Sequence, residues 1–224
     1  MTVLAAIERG RGPMSLSQIA AAAGMATSKA HRYLVSLGRA GLVAQAHSSG
    51  LYDLGPAARR LGVESLRRMD EVGLASEYLP GLRDRTSHAV NLAVWGDHGP
   101  LLVRWEYGVH PLPITIRIGA TMPLTTSSVG LVFLAHLPKP LTAPLLEERA
   151  DEAVAKVLEQ GFARTSEAMI PGVTSVAAPV LTASLPLAVA LAMPSRTSER
   201  ELAEATADLV ETTIRMSAEL GGTA

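Results

Sequence analysis

Residues 15–54 constrain this chain most, because two short helices and an extended hairpin are punctuated there at close intervals. Ser15 and Gln18 stand at capping-box spacing, in which a hydroxyl and a side-chain amide cover the first free N–H groups of a helix. That helix carries Leu16, Ile19, Ala20 and Ala23 on one stripe and stops at Gly24, where a left-handed residue costs little. Thr27 or Ser28 can cap a second helix whose inner stripe is Ala30, Leu34 and Leu37, reaching Gly41. Two short helices joined by a Gly-containing turn make a helix-turn-helix. The outer face of the second helix bears Ser28, Lys29, His31, Arg32, Tyr33, Ser36 and Arg39, donors and cations suited to phosphates and base edges. Ser17, Thr27, His47 and Ser48 complete the candidate DNA contacts. Residues 42–45 and 51–54 read as extended pieces around His47-Ser48-Ser49-Gly50, a two-stranded wing. A helical hairpin that merely packs on a neighbour shares the helix-Gly-helix pattern. The clustering of cations on one face favours DNA.

Charge separates this segment from the rest. Residues 1–60 hold Arg9, Arg11, Lys29, Arg32, Arg39, Arg59 and Arg60 against Glu8 and Asp53, a net +5 inside a chain whose total is −1. A basic quarter joined to an acidic remainder suits a polyanion-binding module tethered to a second domain. The 224 residues are enough for two small domains, and 48% hydrophobic content marks a globular chain. The absence of cysteine excludes disulfides and thiolate chemistry and fits a reducing, cytoplasmic compartment. The N-terminus lacks the features of a secretory signal. Residues 168–195 carry no charge and are long enough to span a bilayer. Pro171, Pro179, Pro186 and Pro194 recur through that run, so two buried strands and a turn explain it better, and a soluble protein is expected.

Along the chain, residues 2–9 read as a helix bracing the helix-turn-helix. Gly55-Pro56 ends the wing and opens a charged helix over 57–68 with Ala58, Leu61 and Leu66 inward. It is expected to break near Gly73 and continue over 74–85 as a linker. From His88 the period shifts: 89–95 and 100–106 are strand-length apolar runs around the turn Gly96-Asp97-His98-Gly99. Residues 113–118 alternate like a further strand, and a polar loop over 122–128 leads into an apolar helix over 129–137. An amphipathic helix over 151–160 ends at Gly161; strands over 173–181 and 187–193 follow. A long helix over 198–220 closes the chain, with Ser198 and Glu201 as its capping box. The expected fold is α+β, an antiparallel sheet flanked by helices behind a winged helix-turn-helix. The divisions are 1–55 for the DNA-binding domain, 56–72 for the linker and 73–224 for the second domain.

No catalytic constellation emerges. There is no G-x-S-x-G elbow or P-loop, and the six histidines lack metal spacing. His136 reads as a packed residue, and Glu147, Glu148, Asp151 and Glu152 as a solvated acidic face. Neither an enzyme nor a cofactor is expected, although an enzyme could assemble polar residues from distant parts of the sequence. The best small-molecule candidate is the loop 125–130, where hydroxyls and free N–H groups at a helix start suit an anion such as a carboxylate. Ordinary capping by Ser127 or Ser128 explains the same residues equally well.

Several blocks together resemble the IclR-type bacterial transcription regulators: Leu16-Ser17-Gln18-Ile19-Ala20, Ser28-Lys29-Ala30-His31-Arg32-Tyr33-Leu34, Gly41-Leu42-Val43, Tyr52-Asp53-Leu54-Gly55, Met122-Pro123-Leu124 through Gly130, Gly161-Phe162, Pro171-Gly172-Val173 and Ala177-Ala178-Pro179-Val180. The resemblance runs nearly the length of the chain. It implies a winged helix-turn-helix, a linker helix and a GAF-like effector domain, acting as a homodimer or tetramer on double-stranded operator DNA. Family effectors are small organic or aromatic acids. It makes Ser28, Lys29, His31 and Arg32 the phosphate and base contacts. It places Ser127, Ser128, Val129 and Gly130 around the effector's acid group, with Thr165, Glu167, Val173 and Ser175 lining the pocket. Asn91, Thr126, Ala190 and Ala192 join that set.

Three departures bear on specificity. The wing has Ser49-Gly50-Leu51 where members often put a basic residue before Tyr, so its phosphate contacts are expected to be weak. Thr125 and Leu131 stand where members often carry His and Lys. Ala190 and Ala192 replace serines of some acid-binding members, which favours a larger or more apolar effector. The chain ahead of the first helix is short, leaving little for dimer contacts. The reading is a ligand-responsive DNA-binding regulator. The alternative is a metabolite sensor or enzyme-like domain whose winged helix contacts proteins.

Overall fold

The structure, a computed structural model, describes residues 2–10, 12–46, 48–67, 70–113, 116–146 and 150–222. Packing divides the chain into two units, residues 1–70 and 71–224.

In the first unit α1 (Thr2–Glu8), α2 (Leu16–Ala22) and α3 (Thr27–Arg39) pack on one another and on a wing of β1 (Val43–Gln45) and β2 (Tyr52–Leu54). The capping box of α2 forms. Ser15 Oγ accepts the Gln18 N–H at 3.3 Å and Gln18 Oε1 accepts the Ser15 N–H at 2.8 Å. Gly24 ends the turn at φ +61°. The start of α3 departs from expectation. Ala26 is the N-cap with no side-chain cap bond, and Thr27 lies inside the first turn, so the hydroxyls of Thr27 and Ser28 stay exposed. Val3, Ala6, Ile7, Ile19, Leu34, Val43 and Tyr52 form the core. β1 and β2 pair antiparallel, Val43 opposite Leu54. Met14 adds a third extended contact: its N–H donates to Tyr52 O at 2.9 Å and its carbonyl accepts the Tyr52 N–H at 2.8 Å. α4 (Pro56–Arg67) follows with Pro at its first position. Its Leu61 is 62% exposed and Val63 67%, which overturns the expected inward placement of Leu61. Nothing among the described residues covers them. The Leu66 side chain lies outside the described residues.

The second unit opens with α5 (Asp70–Thr86), whose Val72, Ala75, Leu79 and Leu82 are buried at helical spacing. Gly73 does not break this helix; it lies within it, exposed. The sheet has strand order β4-β3-β7-β6-β5 and is antiparallel throughout. β3 (Ala89–Gly96) and β4 (Gly99–Glu106) meet at the expected Asp97-His98 turn. The uncharged run becomes β6 (Val173–Val180) and β7 (Leu187–Pro194). Among the described residues no helix is long and apolar enough to cross a membrane. β5 (Ala163–Ser166), a short edge strand, was not expected, and neither were α7 (Lys139–Thr142) and the 3-10 turn Ala143–Leu145. The strand expected over 113–118 is absent from its described residues. Instead the chain runs beside β4 at 119–122, where the Gly119 N–H donates to Leu102 O at 2.8 Å and the Met122 N–H to Pro100 O at 2.8 Å.

A strand buried along its length, as β7 is, needs a layer on each side. α6 (Ser128–His136) and α8 (Asp151–Gln160) supply one. Val129, Val132 and Phe133 pack with Ala93, Ala177, Ala188 and Ala190, short residues that let α6 lie close to the sheet. Gly161, at φ +78°, ends α8. α9 (Glu199–Glu219) packs on β6 and β7 and is tied to α5 by Arg85, which donates to Thr212 Oγ1 at 2.7 Å, and by a Tyr78–Glu219 hydrogen bond. Ser198 caps α9 as expected, accepting the Glu201 N–H at 3.3 Å. The Glu201 carboxylate does not return to complete the box; it turns toward His88.

Candidate functional site

The DNA-facing candidates share one character in the structure: Ser17, Thr27, Ser28, Lys29, His31, Arg32, Tyr33, Arg39 and Ser48 are all exposed. Buried Ala30 and Leu34 hold the opposite face of α3 on the core, which fixes the outward direction of Lys29, His31, Arg32 and Tyr33. Among the described residues no ion pair occupies Lys29, Arg32 or Arg39, so their charge stays available to a polyanion. Ser17 Oγ lies 3.0 Å from Ser15 Oγ and belongs to the cap of α2 as much as to any surface contact. In the wing, Gln45 Nε2 donates to Gly50 O at 2.9 Å and braces the turn that exposes Ser48 and Ser49. His47 lies outside the described residues.

The second site is a cleft in unit 71–224, partly open to solvent. Sheet register builds its floor. Trp105 pairs with Asn91, Ala192 with Ser175, and Ser175 with Thr165, so these side chains share the face that α6 covers farther along. Of the expected effector residues, Asn91, Ser127, Ser128, Thr165, Val173, Ser175 and Ala192 line the cleft. Thr126, Val129, Gly130, Glu167 and Ala190 do not. Thr126 and Glu167 are exposed, Val129 and Ala190 are spent in the core beneath α6, and Gly130 packs on the 123–124 backbone. Trp105, Ile116, Met122, Met169 and Ile170 complete the lining. Sequence reasoning missed them, since they come from a strand end and irregular segments with no local signal.

The two serines divide the work at the head of α6. Ser127 Oγ donates to Pro123 O at 2.6 Å and accepts the Gly130 N–H at 2.9 Å, so it is the helix cap. Ser175 Oγ donates to Leu191 O at 3.0 Å, which leaves Ser128 as donor in the 2.8 Å contact between Ser128 Oγ and Ser175 Oγ. Both serine protons are therefore committed within the protein. Among the described residues the N–H groups of Ser128 and Val129 donate to nothing. Two buried atoms of cleft residues also lack partners, Asn91 Oδ1 and Trp105 Nε1. Among the described residues no charged side chain lines the cleft. The cleft therefore lies beside the positive end of a helix, in apolar surroundings with one unmet donor and one unmet acceptor.

Elsewhere the expectations meet ordinary packing. His136 sits at the end of α6, where burial holds its imidazole below the usual histidine range. Asp151 and Glu152 are exposed on the first turn of α8, and Glu147 and Glu148 lie outside the described residues.

Residues 1–47 match the IclR helix-turn-helix domain, and residues 63–218 match the bacterial transcriptional regulator IclR C-terminal domain. The Escherichia coli transcriptional repressor IclR is 26% identical over 145 residues. The match takes in 64% of this chain but only 53% of that protein, so the chain spans about half its length. The crystal structure of Pseudomonas aeruginosa HmgR is 32% identical with a TM-score of 0.62, covering 100% of this chain and 96% of that one. An IclR homolog from Microbacterium hydrocarbonoxydans, crystallised in complex with 4-hydroxybenzoate, shares the fold at a TM-score of 0.82 and 17% identity over 98% and 96% of the two chains. The matched families hold transcription regulators, not enzymes. With the IclR helix-turn-helix domain matched over the first unit and the IclR C-terminal domain over nearly all of the second, the chain belongs to the IclR family of bacterial transcriptional regulators.

Proposed function

We propose that the protein is a homo-oligomeric regulator that places α3 in the major groove of operator DNA and releases or tightens its grip when a small organic acid enters the cleft. The observation that carries the effector half is the N-terminus of α6 at Ser127 and Ser128, where among the described residues the Ser128 N–H has no acceptor, beside a cleft that no described charged side chain lines. With no Lys or Arg among its described lining residues, such a site meets a carboxylate with helix amides. Trp105 Nε1 and Asn91 Oδ1 then suit a ligand that carries both an acceptor and a donor on an apolar or aromatic body. The homolog crystallised with 4-hydroxybenzoate, an aromatic acid bearing a hydroxyl, supports this ligand class.

The DNA half rests on the exposed, unpaired Lys29 and Arg32. Dimerisation sets half-site spacing, and the exposed Leu61 and Val63 of α4 suit contact with a second copy. The domain divisions at 55 and 72 belong to this reading: α4 spans from reading head to sensor, and the effector acts by favouring one arrangement of the heads over another.

Two experiments test it. Selection from a random duplex library followed by anisotropy titration should give affinity that falls steeply with salt. A salt-independent interaction would reject DNA reading. A thermal-shift screen of carboxylic acids, 4-hydroxybenzoate among them, should find stabilising members, since a ligand raises the melting temperature according to its affinity for the native state. If no acid stabilises the protein while neutral analogues do, the anion reading fails.

A further inference from the structure

His88, immediately before β3, is 1% exposed, and among the described residues neither ring nitrogen has a hydrogen-bond partner. Its Nε2 lies 3.5 Å from Glu201 Oε1, close but without hydrogen-bond geometry. The His110 ring, on the segment after β4, sits 5.8 Å away centroid to centroid, tilted by 40°. One ligand atom from each of the three residues lies within 4.8 Å of the other two. A buried polar group left unpaired costs about 1–3 kcal/mol, so an imidazole with both nitrogens idle needs an explanation.

The backbone is shaped to bring these side chains together. Ser87 adopts a left-handed φ of +62° and its carbonyl accepts the Val109 N–H at 3.0 Å. Between them passes Gly108, where a Cβ would fall 2.5 Å from the His88 carbonyl carbon and 2.6 Å from the Ala89 nitrogen. Any larger residue there would push His110 off His88. From the third side, Glu201 gives its N–H to the Ser198 cap and turns its carboxylate inward.

We propose that His88, His110 and Glu201 bind a divalent transition metal, with zinc the expected ion. Two imidazoles and a carboxylate are ligands of that class, and three protein ligands leave one position open. Bonds of about 2.0–2.2 Å in tetrahedral geometry put neighbouring ligand atoms roughly 3.4 Å apart. The His88–Glu201 separation of 3.5 Å already has that value. The exposed side chains of His110 and Glu201 are free to close the remaining distance. The ion would fasten residues 107–113 to the sheet edge, and the flanking Trp105 and Ile116 are cleft walls.

The test uses full-length protein stripped with a chelator and titrated with Zn²⁺ alone by calorimetry, then with Co²⁺ followed by its ligand-field absorption. One ion per chain is expected, with a rise in melting temperature. His110→Ala and Glu201→Gln, both at exposed positions, should weaken binding by about tenfold or more, by analogy with losses at metal-supporting residues. Circular dichroism checks that both variants fold. Absence of binding by the wild-type chain overturns the site, as does equal affinity in wild type and both variants. Neither result depends on what the cleft binds.

Discussion

Gly130→Ala tests how the head of α6 is built. On helix propensity alone the change should stabilise the protein, since Ala is better than Gly in a helix by about 1 kcal/mol. The structure reverses the sign. A Cβ at Gly130 would sit 2.2 Å from Pro123 O, 2.5 Å from Leu124 O and 2.6 Å from Leu124 Cα. All three are backbone atoms, so no rotamer relieves the overlap. The 123–124 segment must retreat by about 1 Å to reach an ordinary contact. That retreat breaks the chain from the Gly130 N–H through Ser127 Oγ to Pro123 O. Overpacking costs about 1–3 kcal/mol and loss of a cap about 1 kcal/mol. Set against the propensity gain, the net loss is roughly 1–3 kcal/mol. For a domain of this size that lowers the melting temperature by about 2–12 °C, read by differential scanning calorimetry. Gly73→Ala is the control: its Cβ would meet nothing within 4 Å inside α5, so it should be neutral or stabilising. A Gly130→Ala protein as stable as wild type, or more so, would refute the close approach of the 123–124 backbone to α6.

Other expectations rest on separate features. Arg32→Ala should weaken operator binding by about 1–3 kcal/mol and flatten the salt dependence by roughly one unit of slope per subunit, measured by anisotropy; unchanged affinity at fixed salt would reject the contact. Ser128→Trp should fill the cleft and abolish the thermal shift caused by an active acid while DNA affinity persists, and normal ligand binding in calorimetry would move the pocket elsewhere. Burial depresses the His136 pKa in the folded state below its ordinary value of 6.5. Between the two values the unfolded chain holds more protons, so stability rises with pH across that window and is lost on acidification below about 6.5. His136→Leu should therefore reduce the loss in melting temperature between neutral and mildly acidic buffer.

The elements legible in the sequence were those with local punctuation. Ser15 with Gln18, Ser198, Gly24 and Gly161 bound their helices where a cap or a left-handed residue belongs. The Asp97-His98 hairpin and the β6–β7 pair followed from turn residues between apolar runs. What escaped depends on partners distant in sequence. Residues 163–166, ARTS, have no strand pattern, and pairing with β6 alone makes them β5. Residues 113–118 alternate well, yet the bonds along β4 go to 119–122. Gly73 looked like a break because Gly is a poor helix former, but Val72, Ala75 and Leu79 bury the other face and hold the helix through it. Leu61 looked like core because it sits on a helical stripe, and a stripe does not say whether a neighbour exists.

The cleft shows the same split between local and distant information, and that split bears on how the proposed effector would act. Its floor, Asn91, Ser175 and Ala192, is fixed by register across β3, β6 and β7. Ala190 was expected to shape the ligand but lies under α6, so only Ala192 carries the exchange of hydroxyl for methyl. Of the other lining residues, Ile116, Met169 and Ile170 stand on irregular segments, beside a Glu167 held at φ +55°. A ligand shifts an equilibrium only through a difference in its contacts with two states. The paired floor has no second arrangement to offer without breaking the ladder. Under the proposed function, the coupling energy of an effector arises in the described segments at 107–113, 116–122 and 166–172, together with the head of α6. Variants that stiffen or loosen those segments should change the response to the ligand more than they change affinity for DNA in its absence.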